Sequence, residues 1–312
     1  MPTARINGRD LAYEEHGAAD APPVVLVAGT GAPGRVWRAH QVPALRRAGH
    51  RVITFDNRGL GPQPARPGSF TLADLAADVA GLIEHLGAEP CRLVGHSLGA
   101  IVVQEVVLAR PELVARAVLM AGSGRTDALI AAATAADLAL ADGGTRLPPA
   151  VAAHRHALQN LSPRTLDDDD RLTDWLSLFE LTLPDPAAVR AQLGLELIPD
   201  RLAAYRGITR PCLALAFADD VVVRPRLTRE LAAAIPGCRY TEIPDCGHFG
   251  YLERPDAVNR ELLDHLAGPS AAFSPEFAGT SASPRKPKGW ARAPETIAPS
   301  PGTIPARPAT SP

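Results

Sequence analysis

The sequence predicts an α/β protein whose core is a doubly wound, mostly parallel sheet interrupted by one block of helices. Short apolar runs without polar alternation, such as Val24 to Ala28, are typical of strands buried on both faces. These runs alternate with segments of helical periodicity, such as Leu72 to Leu86, as in a parallel sheet covered by helices. Between residues 125 and 209 only helical patterns occur, so a helical insertion is expected there.

The first half of the chain carries most of this alternation. Asn7-Gly8, between the strand-like segments 5–6 and 10–15, is a strong signal for a β-hairpin turn. Thr71 and Asp74 are spaced as a capping box at the start of the helix over 72–86. The other expected elements are a strand over 24–28, a helix over 36–48, strands over 51–55 and 91–94, a helix over 100–109 and a strand over 117–120.

The second half contains the insertion and the rest of the core. Helices are expected over 127–141, 149–158, 171–181, 187–193 and 200–205, and then a strand over 212–217, a helix over 226–235, a strand over 239–243 and a helix over 255–266. The chain is therefore divided into a first core part (1–124), a helical insertion (125–209), a second core part (210–268) and a Pro-rich tail (269–312). The tail cannot bury enough apolar surface to offset its ordering entropy, so we expect it to be disordered.

Composition restricts the environment and the partners. The chain has 312 residues, 46% of them hydrophobic, and a formal net charge of −2, so nothing favours nucleic acid or an anionic membrane as a partner. No apolar run approaches the roughly 18 residues that a membrane span needs, and the N-terminus shows no secretory signal pattern. The four cysteines lack metal-ligand spacing. We expect a cytoplasmic protein without a metal or other cofactor, and the sequence does not indicate its oligomeric state.

The best candidate for a reactive side chain is Ser97. It lies in Gly95-His96-Ser97-Leu98-Gly99, which follows the strand over 91–94 and precedes the helix over 100–109. This G-x-S-x-G pattern between a strand and a helix is typical of a nucleophile elbow, a sharp turn that exposes the serine hydroxyl. The glycines leave room for the turn, because a side chain there would clash. From the motif alone, an ordinary glycine-serine turn is the alternative.

A serine nucleophile needs a base, and His248 is the candidate among the nine histidines. It follows the strand over 239–243, so it is expected at the same carboxyl edge of the sheet as Ser97. His96 is adjacent to Ser97, but its side chain is expected to point away from the serine. Asp219 and Asp220 follow the strand over 212–217 at that edge, and either could orient the imidazole. The order serine, aspartate, histidine is that of α/β-hydrolases.

An oxyanion needs two backbone N–H donors. The Leu98 N–H, directly after Ser97 at a helix start, is expected to be one of them. The other is expected from Thr30, in the Gly-rich loop after the strand over 24–28. A simple tight turn is the alternative for that loop.

From about Asn7 to Leu266 the chain resembles the α/β-hydrolase superfamily. The matching motifs are the elbow Gly95–Gly99, the D-x-R-G-x-G loop Asp56–Gly61, the acid loop Phe217 to Pro225 and the histidine loop Gly247 to Pro255. The acid-loop match favours Asp220 over Asp219. The resemblance also implies that the insertion is a cap that closes over Ser97. Three positions depart from the family pattern: Ala28 replaces a histidine before the oxyanion loop, Gln63 replaces a small hydroxyl residue, and Phe217 replaces a glycine.

The order of these residues along the chain and the resemblance predict a serine hydrolase that acts on a carboxylic ester, thioester or lactone of a small molecule. A C–C bond hydrolase or a perhydrolase-like enzyme could use the same triad, and a small-molecule receptor or cyclase-like protein could use the same fold without hydrolysis. Trp175 and Phe179, on one insertion helix, are candidates for substrate binding, and packing inside the insertion is the alternative. The acidic run Asp167 to Asp170 is expected to be a solvated helix start and not a metal site.

Overall fold

The structure, a computed structural model, describes residues 2–60, 66, 68–184 and 186–268. The predicted disordered tail over 269–312 and Gln63 lie outside these residues. In the described part, eight strands form one sheet in the order β1-β2-β4-β3-β5-β6-β7-β8. Their bounds are β1 (Thr3–Ile6), β2 (Arg9–His16), β3 (Pro23–Val27), β4 (Arg51–Phe55), β5 (Cys91–His96), β6 (Val114–Met120), β7 (Cys212–Phe217) and β8 (Arg239–Ile243).

The sheet is parallel from β4 to β8, and the hairpin of β1 and β2 adds an antiparallel edge. The expected hairpin turn at Asn7-Gly8 is confirmed, with positive φ angles of 48° and 79°. The strand order reverses around β3, since β4 lies on one side of it and β5 on the other. In a sheet of this kind the carboxyl ends at the reversal form a crevice, which is where ligands bind.

Helices cover both faces of this sheet. Their bounds are α1 (Gln41–Arg47), α2 (Leu72–His85), α3 (Leu98–Ala109), α4 (Ala128–Asp142), α5 (Pro149–Asn160), α6 (Pro163–Leu166), α7 (Asp169–Thr182), α8 (Pro186–Leu193), α9 (Leu202–Tyr205), α10 (Pro225–Ala234), α11 (Gly250–Glu253) and α12 (Pro255–Leu266), with short 3₁₀ helices over Gly34–Arg38, Pro111–Leu113 and Gly194–Glu196. The capping box before α2 is confirmed: Thr71 Oγ1 accepts the Asp74 N–H, and Asp74 Oδ2 accepts the Thr71 N–H.

The apolar runs are explained by two core clusters, one on each face of the sheet. In β3, Val25 and Val27 belong to one cluster, while Val24 and Leu26 belong to the other. Because successive side chains of a strand point to opposite faces, a strand covered on both sides has no polar position. The helices α2 and α3 pack into the first cluster, and α1 and α12 pack into the second.

The prediction of a single helix over 36–48 is wrong. The segment divides into the 3₁₀ helix Gly34–Arg38 and α1, with His40 outside helical geometry at φ −133°. A continuous helix would place Pro43 in its interior, where proline lacks the required N–H and clashes with the preceding turn. Starting α1 at Gln41 places Pro43 in the first turn, where no N–H is needed.

Between β6 and β7, the described residues form the helices α4 to α9, a short 3₁₀ helix and no strand. Helices α5 and α7 share a small apolar cluster, with Ala153, Ala157, Leu161 and Phe179 buried in it. No helix in the described ranges is both long enough and apolar enough to cross a membrane.

Candidate active site

Ser97 forms the turn between β5 and α3 in a strained backbone conformation. Its φ is 55° and its ψ is −121°, a left-handed φ that a non-glycine residue rarely adopts. A Cβ on Gly95 would lie 2.3 Å from the carbonyl oxygen of Gly99, and a Cβ on Gly99 would lie 2.1 Å from that of Val27. Both glycines are therefore required for the close approach of β5, α3 and β3, and the turn leaves Ser97 partly exposed.

His248 and Asp220 form a buried hydrogen-bonded pair. The distance from His248 Nδ1 to Asp220 Oδ2 is 2.7 Å, and the two residues are only 5% and 2% exposed. The other carboxylate oxygen, Oδ1, accepts the backbone N–H groups of Val222 and Val223 at 2.8 and 2.9 Å. Because an ionised carboxylate only accepts, His248 donates from Nδ1, and its Nε2 is left as an acceptor.

Asp219 does not contact His248. Its backbone N–H donates to Cys246, and its carboxyl group lies near Asp245 and Glu253. Partial burial and the two neighbouring carboxylates raise its pKa. Of the two adjacent aspartates, the structure therefore pairs Asp220 with the imidazole.

The structure does not join Ser97 and His248 by a hydrogen bond: within the described ranges the serine hydroxyl has no hydrogen-bond partner. The two residues are brought near each other through His96, which precedes Ser97 and whose ring centroid lies 4.7 Å from that of His248. In unliganded enzymes such a contact is often long and tightens only when substrate binds.

His96 packs against the histidine loop. Its ring is buried, and its Nε2 lies 2.9 Å from the backbone carbonyl oxygen of His248, to which it can donate. Burial, with a smaller effect of the nearby His248, holds the pKa of His96 well below its usual value. It is therefore a neutral residue that helps to hold the histidine loop.

Glu253 also holds this loop, and the sequence analysis did not identify it. One carboxylate oxygen accepts the Gly247 N–H at 2.7 Å, and the other accepts the N–H and the hydroxyl of Ser162 at 2.9 and 2.8 Å. The Phe249 N–H donates to the carbonyl of Asn160. The residues on either side of His248 are thus tied to the end of α5 and the start of α6. Glu253 was already part of the quoted histidine-loop motif, but nothing in the sequence indicated its partner.

The loop after β3 passes directly over Ser97. A Cβ on Gly29 would lie 3.2 Å from the Ser97 Cβ. In the described residues neither the Thr30 N–H nor the Leu98 N–H donates to a protein acceptor, so both remain available to a ligand. The Thr30 hydroxyl donates to Glu196 in the insertion at 2.5 Å. That these two N–H groups hold an oxyanion stays a prediction.

Trp175 and Phe179 lie one turn apart on α7, in an aromatic group that extends to the residue after His248. Their ring centroids are 5.2 Å apart, and Phe179 packs edge-on against His156 at 4.7 Å. The His156 ring in turn lies 5.3 Å from that of Phe249. Phe179 is buried, whereas Trp175 is partly exposed beside a surface cavity of about 200 Å³. Packing within the insertion is thus observed, and contact of either ring with a substrate stays a prediction.

In the acidic run Asp167 to Asp170, Asp167 ends α6 and the other three residues start α7, where Asp168 accepts the Arg171 N–H at 3.1 Å. Carboxylates in the first turn interact favourably with the positive end of the helix dipole. Elsewhere in the described chain, too, no group of three His, Cys, Asp or Glu side chains is arranged to hold a metal ion.

Comparisons with known proteins show which family and which structures the chain is similar to. A model of the alpha/beta hydrolase family matches residues 24–261. A Mycobacterium tuberculosis H37Rv protein named as a candidate non-heme bromoperoxidase, BpoC, is 46% identical over 263 residues, covering 84% of this chain and 99% of the relative. Its crystal structure matches with a TM-score of 0.79 at 46% identity, covering 82% of this chain and 95% of that one.

Two further relatives have names that describe hydrolysis. A protein of Variovorax paradoxus (strain S110), named as a candidate carbamate hydrolase, RutD, is 33% identical over 276 residues, covering 85% of this chain and 99% of the relative. The crystal structure of an enol-lactonase from Burkholderia xenovorans LB400 matches at 27% identity with a TM-score of 0.74, covering 86% of this chain and all (100%) of that one.

Proposed function

The chain belongs to the alpha/beta hydrolase family of enzymes, and from this premise we propose that it is a serine hydrolase that cleaves a carboxylic ester, thioester or lactone of a small molecule. The observation that carries the proposal is the strained Ser97 turn beside the buried His248–Asp220 pair. A strained serine and an imidazole held in one tautomer by a carboxylate are the parts that nucleophilic acyl transfer needs.

In the proposed reaction, Ser97 Oγ attacks the substrate carbonyl carbon while its proton passes to His248 Nε2. The carbonyl oxygen becomes an oxyanion, which accepts hydrogen bonds from the Thr30 and Leu98 N–H groups. The bond to the leaving group breaks as His248 returns the proton to the departing alcohol or thiol. Water then attacks the acyl-enzyme, His248 takes its proton, and the acid leaves as the proton returns to Ser97.

Asp220 fits this cycle because three donors hold its carboxylate. Its partners are His248 and two backbone N–H groups, which hold the carboxylate where it can stabilise the imidazolium that forms when His248 takes a proton. A cap formed by the insertion would cover Ser97 and shape the acyl pocket.

Ester hydrolysis by matched variants tests the proposal. We expect wild-type protein to hydrolyse p-nitrophenyl acetate or butyrate and Ser97→Ala to lose at least about 10³-fold in kcat/KM, since the nucleophile is removed. Ser69→Ala, at an exposed serine, serves as the control and should keep full activity. If Ser97→Ala hydrolyses these esters as fast as the wild type, Ser97 is not the nucleophile.

A second candidate is perhydrolysis, which the 46% identity to BpoC favours. Here hydrogen peroxide attacks the acyl-enzyme in place of water, its proton passes to His248 and then to Ser97 Oγ, and the peracid that leaves can oxidise bromide. Bromination of monochlorodimedone in acetate, peroxide and bromide would detect it. Activity that is lost in Ser97→Ala supports this candidate, and bromination without ester hydrolysis would make it the main function.

A further inference from the structure

The strongest unassigned feature near Ser97 is the contact between the insertion and the loop Gly29–Gly31, which we call the oxyanion loop. The Gly31 N–H donates to Gln192 Oε1 at 2.8 Å, and Gln192 Nε2 donates to the Arg58 carbonyl at 2.5 Å. The Thr30 hydroxyl donates to Glu196 Oε1 at 2.5 Å. A segment more than 160 positions away along the chain therefore holds two successive residues of this loop.

We propose that Glu196 is a positioning residue that sets the Thr30 N–H for the oxyanion by accepting the hydrogen bond of the Thr30 hydroxyl. The inference rests on the proposed function, because it assigns a reaction step to Thr30. It adds a role to the insertion, whose end would complete the site chemically as well as cover it.

Little else holds Thr30 itself. The core fixes the entrance of the oxyanion loop, where Asn57 Nδ2 donates to the Ala28 carbonyl at 2.9 Å, and a turn bond joins Ala32 to Gly29. Within the described residues, the hydrogen bond that Thr30 makes is the one from its hydroxyl to Glu196. The hydroxyl contact therefore restrains Thr30 while its N–H stays available to a ligand.

Glu196 is itself well held. Its Oε2 lies 3.4 Å from the hydroxyl of Thr134 on α4, and its backbone carbonyl accepts the Thr126 hydroxyl at 3.2 Å. Thr126 Oγ1 also accepts the Ile198 N–H at 2.8 Å. A side chain anchored on both sides can hold Thr30 more firmly than a free one could.

The charge of Glu196 is consistent with this task. Burial raises its pKa, assisted by Asp137, whereas the hydroxyls of Thr30 and Thr134 and the charge on His248 lower it. Since burial disfavours the charged form of Glu196, the role that we propose needs an acceptor oxygen and no charge, and glutamine is the conservative replacement.

The test compares Glu196→Gln, which keeps an acceptor oxygen, with Glu196→Leu, which removes it. On a p-nitrophenyl ester we expect Glu196→Gln to stay within about 3-fold of wild-type kcat and Glu196→Leu to lose about 10- to 100-fold in kcat with KM nearly unchanged. Thr30→Val keeps the N–H and removes the hydroxyl, so it should lose as much as Glu196→Leu. The double variant should lose no more than either single one, because one interaction is removed twice.

A matched control is Thr241→Val on β8, which removes a similar hydroxyl contact to Glu261 on α12 and should leave kcat unchanged. If Glu196→Leu does not fold, judged by circular dichroism, Thr30→Val alone carries the test. An unchanged kcat in Thr30→Val, an equal loss in Glu196→Gln and Glu196→Leu, or additive losses in the double variant would overturn the inference. Ser97→Ala separates the two failures: if it is inactive while Glu196→Leu is fully active, the proposed function stands and only the inference fails.

Discussion

At the scale of single residues, the site consists of a few reactive groups and a larger set of groups that hold them. His248 is fixed through its side chain by Asp220, through its backbone by His96, and through its neighbour Gly247 by Glu253. Such support matters because proton transfer depends on geometry to a fraction of an ångström. The reactive residues and Asp220 could be proposed from the motif order, but the contacts of His96 and Glu253 could not, since no local pattern indicates them.

The two adjacent aspartates give a matched prediction at this scale. Asp220→Asn should lower kcat by about 10³- to 10⁴-fold at neutral pH, because an amide can donate to His248 Nδ1 and stabilise the wrong tautomer. Asp219→Asn, one residue away and without contact to His248, should stay within about 2-fold of the wild type. Steady-state kinetics measure kcat of both variants, and equal losses would mean that the orienting acid is misassigned.

At the scale of elements, much of the fold follows from local patterns. The strands β4, β7 and β8 and the helix α12 match their expected bounds. The two short helices α6 and α11 were not expected, because one turn of helix has no periodicity to detect. The strand β5 extends two residues further than its apolar run, since Gly95 and His96 still pair with β6. Pairing between distant strands is not encoded in a local pattern.

Contacts between elements could not be predicted from the sequence either. Nothing near Thr30 or Glu196 indicates that they touch, because 166 positions separate them and only the folded insertion brings them together. The Asn57 contact to Ala28 is of the same kind, although both residues lie in motifs that the sequence analysis quoted.

The close packing of β3, β5 and α3 gives the prediction at this scale. Gly99→Ala should lower the free energy of unfolding by at least about 3 kcal/mol or prevent folding, because the new Cβ would overlap the Val27 carbonyl oxygen. Gly194→Ala is the control, since the nearest atom to a Cβ there is an arginine side-chain nitrogen at 3.8 Å. Urea unfolding of both variants measures the difference. A Gly99→Ala protein of wild-type stability would show that the turn can relax.

At the scale of the whole molecule, buried histidines link stability to pH. Burial lowers the pKa of His156 and of His265 to about 4, and it also lowers the pKa of His50 and His96. As the pH falls, such a histidine takes up its proton at a higher pH in the unfolded state than in the folded state. The contribution of each buried histidine to the free energy of unfolding is therefore complete above the unfolded pKa of about 6.5. It declines as the pH falls from there towards the folded pKa.

His265→Gln isolates this effect away from the proposed site. Between pH 7 and pH 5 the wild type should lose up to about 2 kcal/mol more of its unfolding free energy than the variant, because the amide does not titrate. Urea unfolding at the two pH values measures it. An identical pH dependence in both proteins would mean that His265 is not held neutral by the fold.

The central claim is that Ser97 is an activated nucleophile, and labelling by a fluorophosphonate tests it most directly. Wild type and Ser97→Ala are incubated with the reagent, and the modified peptide is identified by mass spectrometry. We predict a single adduct on Ser97, absent from Ser97→Ala and slowed at least about 10²-fold in Asp220→Asn. Wild-type protein that stays unlabelled would contradict the claim and would favour a small-molecule binding protein on the same fold.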